Sequence, residues 1–125
     1  MVSTIQKALF VLLVSISAFG QKAKEIEGVW KSDDKKKIEI QIYLASDGYY
    51  YGKITQDQDN KDNIGKIILK ELKYNNKKNS FNGIMLPPDK DIEANAFITF
   101  ENTKKIKVVA KKLLLSKTIY FTKVK

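Results

Sequence analysis

The stretch Ile38-Glu39-Ile40-Gln41-Ile42-Tyr43-Leu44 alternates strictly between apolar and more polar residues. A period of two is typical of an antiparallel strand with one buried face, which here is expected to carry Ile38, Ile40, Ile42 and Leu44. Ser46-Asp47-Gly48 is a tight-turn signal, and Tyr49-Tyr50-Tyr51-Gly52-Lys53-Ile54 follows it as a second β-rich run. The two runs therefore predict a β-hairpin.

Short β-rich runs recur on both sides of this hairpin. They alternate with polar turns at spacings of roughly 10 to 14 residues, and they cover residues 26–31, 81–86, 94–101, 105–111 and 118–124. Residues 64–72 are ambiguous, because Ile64, Ile68 and Leu72 also fit one face of a helical turn. About eight short strands predict a single all-β domain, either an antiparallel sandwich or a barrel.

The first residues are typical of a targeting segment. Lys7 supplies one positive charge, residues 8–16 are apolar but too short to span a bilayer, and Ala18-Phe19-Gly20 offers small residues for cleavage. We therefore predict a cleaved signal peptide over 1–20, a β-barrel domain over 21–125, and a protein that is periplasmic or secreted. An uncleaved membrane anchor is the alternative. Removal of Lys7 with this segment lowers the formal net charge from +9 to +8.

The composition excludes many kinds of active site. All 23 basic residues are lysines, and the chain contains no His, Cys or Arg. Nucleophiles activated by histidine, thiol redox chemistry, disulfides and the usual zinc and haem sites are excluded. Carboxylates remain for acid–base chemistry, but no spacing pairs the candidates Asp33, Asp34, Glu39, Glu93 and Glu101. We predict no enzyme, no catalytic residue and no cofactor.

One acidic segment partly resembles a calcium-binding loop. Asp57-Gln58-Asp59-Asn60-Lys61-Asp62 begins with suitable ligands, but Lys61 occupies the third ligand position. Asp62 stands where the sharp turn needs glycine, and Ile68 replaces the bidentate glutamate. The segment is therefore interpreted as a solvated loop, and no metal site is predicted.

The positive charge is spread along nearly every strand and turn. Without a recognition element, and in an exported protein, this pattern does not predict nucleic acid as a partner. It indicates a solubilising surface or weak attraction to an anionic lipid or polysaccharide surface. Tyr43, Tyr49 and Tyr51 are expected to face outward or to lie at the rim, where they would add to such a surface. The oligomeric state is left open.

A series of short motifs is distributed along nearly the whole chain after residue 27. They are Gly28-Val29-Trp30, Asp33-Asp34, Ile40-Gln41-Ile42-Tyr43, Gly48-Tyr49-Tyr50-Tyr51-Gly52-Lys53-Ile54, Gly65-Lys66-Ile67-Ile68-Leu69, Phe81-Asn82-Gly83-Ile84-Met85-Leu86-Pro87, Lys105-Ile106-Lys107-Val108 and Lys117-Thr118-Ile119-Tyr120-Phe121-Thr122-Lys123-Val124. In this order the motifs resemble the exported bacterial family called domain of unknown function 2147.

The resemblance implies a small lipocalin-like antiparallel barrel with no established activity. It also implies that Trp30 closes the floor of the barrel beneath a basic side chain of the last strand, here Lys123, in a cation–π or packing contact. The chain departs from the family pattern at several positions, among them the segment after Asp89 and the shorter loop over 57–63. Phe121 stands for a tryptophan, Lys117 and Lys123 stand for arginines, and a single Gly83 stands for a glycine pair.

A barrel of about eight strands either is filled by side chains or holds one small ligand. Alternation places the inward residues at Ile38, Ile40, Ile42, Leu44, Tyr50, Gly52, Ile54, Ile98, Phe100, Ile106, Val108, Ile119 and Phe121. Of these, the candidates for lining a ligand pocket are Ile40, Ile42, Tyr50, Gly52, Ile54, Ile98, Phe100, Val108, Ile119 and Phe121. Gly52 either relieves crowding or opens space. The function predicted is the binding of a small apolar ligand; the alternative is a filled barrel that interacts through its lysine-rich surface.

Overall fold

The computed structural model describes residues 23–125, which form a closed antiparallel barrel. Its eight strands within that range are β1 (Gly28–Ser32), β2 (Glu39–Leu44), β3 (Tyr50–Gln56), β4 (Ile67–Asn75), β5 (Ser80–Met85), β6 (Ala94–Asn102), β7 (Lys105–Lys112) and β8 (Leu115–Lys123). Consecutive strands pair, and β8 pairs with β1 to close the ring. The prediction of a small all-β barrel is confirmed, in the up-and-down order that lipocalins also have. The predicted signal peptide, 1–20, lies outside the described residues.

The hairpin that the alternation predicts is formed by β2 and β3, with Ile42 opposite Gly52. Ile40 and Ile42 are buried, and Ile38 is half-buried just before β2. The expectation that Leu44 faces the core is wrong, because its side chain is 51% exposed. Leu44 is the last residue of β2. It keeps the apolar alternation but extends past the packed layers at that end of the barrel.

The ambiguous segment 64–72 contains a loop end and a strand. Ile64 is exposed in the loop, whereas β4 begins at Ile67 and pairs with β3 and β5. The helix-like spacing of its apolar residues has a structural cause. The register of β4 shifts against both neighbouring strands, and Glu71 has a φ of 54°. An extra residue at a bulge breaks the period of two, so Leu69 and Leu72 are both buried although they are three positions apart.

The connections divide the barrel into two ends, which we call the floor and the mouth. The floor carries short turns, at residues 45–49, 76–79 and 103–104, together with the N-terminal turn 23–27 and the end of β8. The mouth carries the longer connections 33–38, 57–66 and 86–93 and the two-residue turn 113–114. Loops therefore bound the mouth, whereas tight turns bound the floor.

The ring closes at the floor through a short seam between β1 and β8. Trp30 lies opposite Lys123, the Val29 N–H donates to the Lys125 carbonyl at 2.6 Å, and the Val124 N–H donates to the Val29 carbonyl at 2.7 Å. Gly28 has a φ of 143°, and a Cβ there would lie 2.7 Å from the Lys125 carbonyl oxygen. Only glycine therefore allows the two ends to approach this closely.

Within residues 23–125, no helix has the length and apolar character needed to cross a membrane.

Candidate functional site

The floor is sealed by Trp30, whose side chain is fully buried. Its indole Nε1–H donates to the Ile26 carbonyl at 2.9 Å. The Lys123 Nζ lies 5.5 Å from the centroid of the Trp30 ring and donates to the Glu25 carbonyl at 3.2 Å. The Trp30–Lys123 contact anticipated from the sequence is therefore present, and the N-terminal turn covers the indole from below.

An aromatic cluster fills the barrel above the floor. The Phe81 ring lies 5.7 Å from Tyr50, 5.1 Å from Tyr74 and 6.4 Å from Phe100, measured between ring centroids. Phe100 is in turn 6.4 Å from Trp30. Edge-to-face and tilted pairs at these distances are favourable packing arrangements. These rings therefore form the packed part of the interior next to the floor.

Most of the sequence-predicted pocket residues belong to this packed interior. Five of them are almost completely buried, namely Ile40, Ile42, Ile54, Ile98 and Val108. Tyr50 and Phe100 are half-buried in the aromatic cluster. At Gly52, a Cβ would lie 3.2 Å from the Leu69 side chain, so this glycine relieves crowding rather than opening space.

A cavity of about 340 Å³ lies at the mouth. Its wall consists mainly of small and aliphatic side chains contributed by most of the strands, at Ser32, Ile38, Ile68, Met85, Ala94, Ala110, Ile119 and Phe121. Ile119 and Phe121 are the two predicted pocket residues that the structure brings to this wall. The space exists because Ala94 and Ala110 occupy inward positions where deeper layers carry Ile98 and Val108.

Sequence reasoning missed the remaining wall residues. Ala94 and Ala110 continue the inward alternation of β6 and β7, so their small size was the available signal. Ile68 gave no such signal, because it is buried beside a register shift between β3 and β4. Met85 closes β5 next to the connection 86–93, and nothing in its immediate sequence distinguishes it from an ordinary core residue.

Charged side chains surround the entrance of this cavity. Four lysines and two aspartates contribute to its lining: Lys36, Lys90, Lys112, Lys117, Asp34 and Asp89. The Asp34 carboxylate is partly engaged, since it accepts from the Ser32 hydroxyl at 2.9 Å and from the Lys36 N–H at 3.2 Å. The rim is therefore positive over an apolar wall. A second, wider depression of about 600 Å³ lies on the outer side of the connection 86–93 and is open to solvent.

The acidic segment at 57–62 forms an ordered loop beside the mouth. Asp57 is buried and accepts from the backbone N–H groups of Asp59 and Asn60, and from the Asn63 side-chain amide at 2.9 Å. The Asn63 hydrogen bond and these backbone donors hold the pKa of the Asp57 carboxyl below its ordinary value. The buried Asn63 also accepts from Lys66 Nζ at 2.9 Å. Residues 58–62 are exposed, as expected for a solvated loop, and the buried Asp57 and Asn63 hold this loop in place.

No group of three or more acidic, histidine or cysteine side chains converges to hold a metal ion within residues 23–125. Two of the candidate acid–base residues form ion pairs instead. Asp33 bonds Lys105 Nζ at 3.0 Å and the Thr122 hydroxyl at 2.7 Å, and this hydroxyl and Lys105 lower the pKa of Asp33. Glu93 pairs with Lys70 at 3.1 Å. These contacts tie connections at the mouth to neighbouring strands.

The outer tyrosines form a separate feature on the wall of the β2–β3 hairpin. Tyr43 and Tyr51 stack with ring centroids 6.2 Å apart, and Lys53 Nζ lies 5.6 Å from the Tyr43 centroid. The Tyr51 hydroxyl donates to the Asp47 carboxylate, which raises the pKa of Tyr51 to about 12. Tyr49 is exposed nearby. This cluster stabilises the hairpin turn and lies towards the floor, away from the cavity.

The chain matches no protein-family model, no curated protein and no solved structure.

Proposed function

We propose that the protein binds one small apolar molecule in the cavity at the mouth. The observation that carries this proposal is the contrast between a packed interior and a cavity of about 340 Å³ at the end bounded by loops. A volume of this size is at the lower end of the range of small-molecule sites, which runs from about 300 to 1,000 Å³. Burial against the aliphatic wall supplies the affinity.

The lysine rim indicates the chemistry of the polar end of the ligand. Lys36, Lys90, Lys112 and Lys117 outnumber Asp34 and Asp89 at the entrance. A single-chain amphiphile with an acidic head group fits this arrangement, because its tail meets the apolar wall while its head stays hydrated beside lysine. Exposed ion pairs add little affinity, so the lysines act mainly on selectivity.

The test is titration with a dansyl-labelled undecanoic acid, followed by the increase in dansyl fluorescence on burial. The protein is the chain from Gln21 onward, which contains all of the strands of the barrel. We expect saturable binding with one probe per barrel. Ala110→Leu places a larger side chain in the cavity and should weaken binding by about tenfold or more, since it removes the space that the tail needs.

Val109→Leu is the matched control, because Val109 is the neighbouring residue on β7 and points to the opposite face. It should bind the probe as the unsubstituted protein does. Absence of saturable binding, or equal binding by the Ala110→Leu and Val109→Leu proteins, would contradict the proposed site.

We also infer that the chain is a divergent member of the exported family that its motifs resemble. This proposal is supported by the order of those motifs along the barrel and by the contact of Lys123 with Trp30 at the floor. On this interpretation the ligand is taken up outside the cytoplasm.

A further inference from the structure

The turn between β7 and β8 exposes three consecutive leucines at the mouth. The exposed fractions of Leu113, Leu114 and Leu115 are 96%, 101% and 78%. We call these three residues the leucine tip. A run of exposed apolar residues promotes aggregation. Such a run on a protein surface therefore indicates an interaction site.

The backbone of the leucine tip is also unfavourable for leucine. Lys112 pairs with Leu115, so Leu113 and Leu114 form a two-residue hairpin loop. Leu113 has a φ of 55°, at a position that such loops normally give to glycine or asparagine. The hairpin turns at the floor use polar turn residues instead, in the segments 45–49, 76–79 and 103–104. Folding preference does not explain the leucines, which indicates that their exposed side chains serve another purpose.

All charged side chains on the β7–β8 hairpin, which carries the leucine tip, are lysines. Residues 102–125 contain eight lysines and no Asp or Glu. Lys111, Lys112 and Lys117 flank the leucines directly, and Lys36 on the connection 33–38 lines the same cavity as Lys112 and Leu115. The acidic residues of the mouth lie mainly on the connections 57–66 and 86–93. An apolar tip that is flanked by lysines is complementary to the anionic surface of a lipid bilayer.

We propose that the leucine tip inserts into the interfacial region of an anionic membrane while the flanking lysines bind lipid phosphates. The side of the mouth formed by the β7–β8 hairpin meets the bilayer first. Since Leu115 and Lys112 also line the cavity, docking places the cavity entrance at the membrane surface. An amphiphile can then pass between the bilayer and the cavity without crossing water. This last step rests on the proposed function, whereas the docking itself does not.

The test is co-sedimentation of the chain from Gln21 onward with vesicles of equal parts phosphatidylglycerol and phosphatidylcholine. We expect binding that weakens as salt is added and that is much weaker on vesicles of phosphatidylcholine alone. The double substitution L113N/L114G removes two exposed leucines and replaces them with Asn and Gly, which tolerate the positive φ of two-residue turns better than leucine does. It should keep or raise the melting temperature and reduce vesicle binding by about tenfold or more.

Leu44→Asn is the matched control, because Leu44 is an exposed leucine at the floor. It should leave vesicle binding unchanged. Lys111→Gln and Lys117→Gln together should weaken binding to the anionic vesicles, whereas Lys77→Gln and Lys78→Gln, in the turn 76–79 at the floor, should not.

The proposal would be overturned by equal binding of the L113N/L114G and Leu44→Asn proteins, by equal binding to neutral vesicles, or by an acidic polysaccharide that binds while the anionic vesicles do not. A tip-dependent dimer without vesicle binding would overturn it as well. The Ala110→Leu protein distinguishes membrane docking from ligand binding in the cavity. It should no longer bind the dansyl probe in solution but should still bind the vesicles.

Discussion

At the scale of single residues, Asp57 shows how a carboxylate can hold a loop in place. Its two oxygens accept from two backbone N–H groups and from the Asn63 amide within a largely buried setting. Asn63 in turn accepts from Lys66, and Lys66 Nζ also contacts the Pro88 carbonyl at 3.3 Å. Asp57 therefore organises the connection 57–66, and Lys66 links this connection to the connection 86–93 beside the cavity.

Asp57→Ala should lower the free energy of unfolding by about 2 kcal/mol at neutral pH, because it removes the acceptor of the buried Asn63 amide and of two backbone N–H groups in the loop. The effect depends on pH in a defined direction. The pKa of Asp57 is lowered in the folded state, so this contribution is complete above the unfolded value of about 3.9 and is lost as the pH falls through the folded value. Urea denaturation at neutral pH and at successively lower pH measures the loss of unfolding free energy and its dependence on pH.

Asp59→Ala is the control for this substitution, since the Asp59 side chain is exposed in the same loop. Its stability should follow that of the unsubstituted protein at every pH. If the Asp57→Ala and Asp59→Ala proteins unfolded alike, the Asp57 hydrogen bonds would not stabilise the loop.

At the scale of strands, the bulge in β4 explains the need for Gly83 in β5. A Cβ at Gly83 would lie 2.7 Å from the Lys70 carbonyl oxygen, 2.7 Å from Leu72 Cδ2 and 3.0 Å from the Glu71 carbonyl oxygen. Glu71 is the bulge residue with φ of 54°. The bulge pushes the backbone of β4 towards β5, and only a residue without a side chain fits there.

Gly83→Ala should therefore destabilise the barrel by about 3 kcal/mol, because the carbonyl oxygens of β4 cannot move without breaking the ladder. Gly52→Ala is the matched substitution, because Gly52 lies on β3, the other neighbour of β4. There the nearest atoms are Cβ and Cδ1 of Leu69 at 3.2 Å, a smaller overlap that involves no backbone oxygen, so a cost of about 1 kcal/mol is expected. Thermal unfolding of both proteins makes the comparison. Equal costs would show that the close approach of β4 to Gly83 relaxes freely.

The sequence predicts the strands well where alternation is regular and less well where it is interrupted. The β2–β3 hairpin follows directly from period-two alternation and an Asp-Gly turn signal. The start of β4 was ambiguous because a bulge and a register shift give its apolar residues a spacing that also fits a helix. The apolar pattern of β4 alone does not show that the strand carries an extra residue relative to its neighbours.

The candidate site was only partly predictable for a related reason. Alternation identifies which residues face inward but not how far each lies from the floor, so Ile40 and Ile119 carried equal weight in the sequence. The depth depends on the tilt and stagger of the strands in the closed barrel. The cavity appears only in the layer where Ala94, Ala110 and Ser32 replace larger residues.

At the scale of the whole molecule, the β1–β8 seam that closes the ring is short. The β1–β8 register contains three paired positions, whereas the β7–β8 register contains eight. Fewer paired residues provide less local stability, so this seam is expected to open before the β7–β8 pairing.

Amide hydrogen exchange measures that difference residue by residue. The amides of Val29 and Val124, which bond across the seam, should exchange about tenfold or more faster than amides at the centre of the β7–β8 pairing, near Val108 and Val109. Equal protection at both places would show instead that the barrel opens in a single cooperative step.

The same seam determines the order of assembly. Seven of the strand pairings in residues 23–125 join consecutive strands, but the pairing of Trp30 with Lys123 joins positions whose numbers differ by 93. The consecutive hairpins can form early from neighbouring segments, while ring closure must wait until both ends of the sheet meet. Until then β1 and β8 are free edges to which a strand of another chain can add. Closure of this seam therefore removes the two edges at which a newly folding chain is exposed to edge-to-edge aggregation.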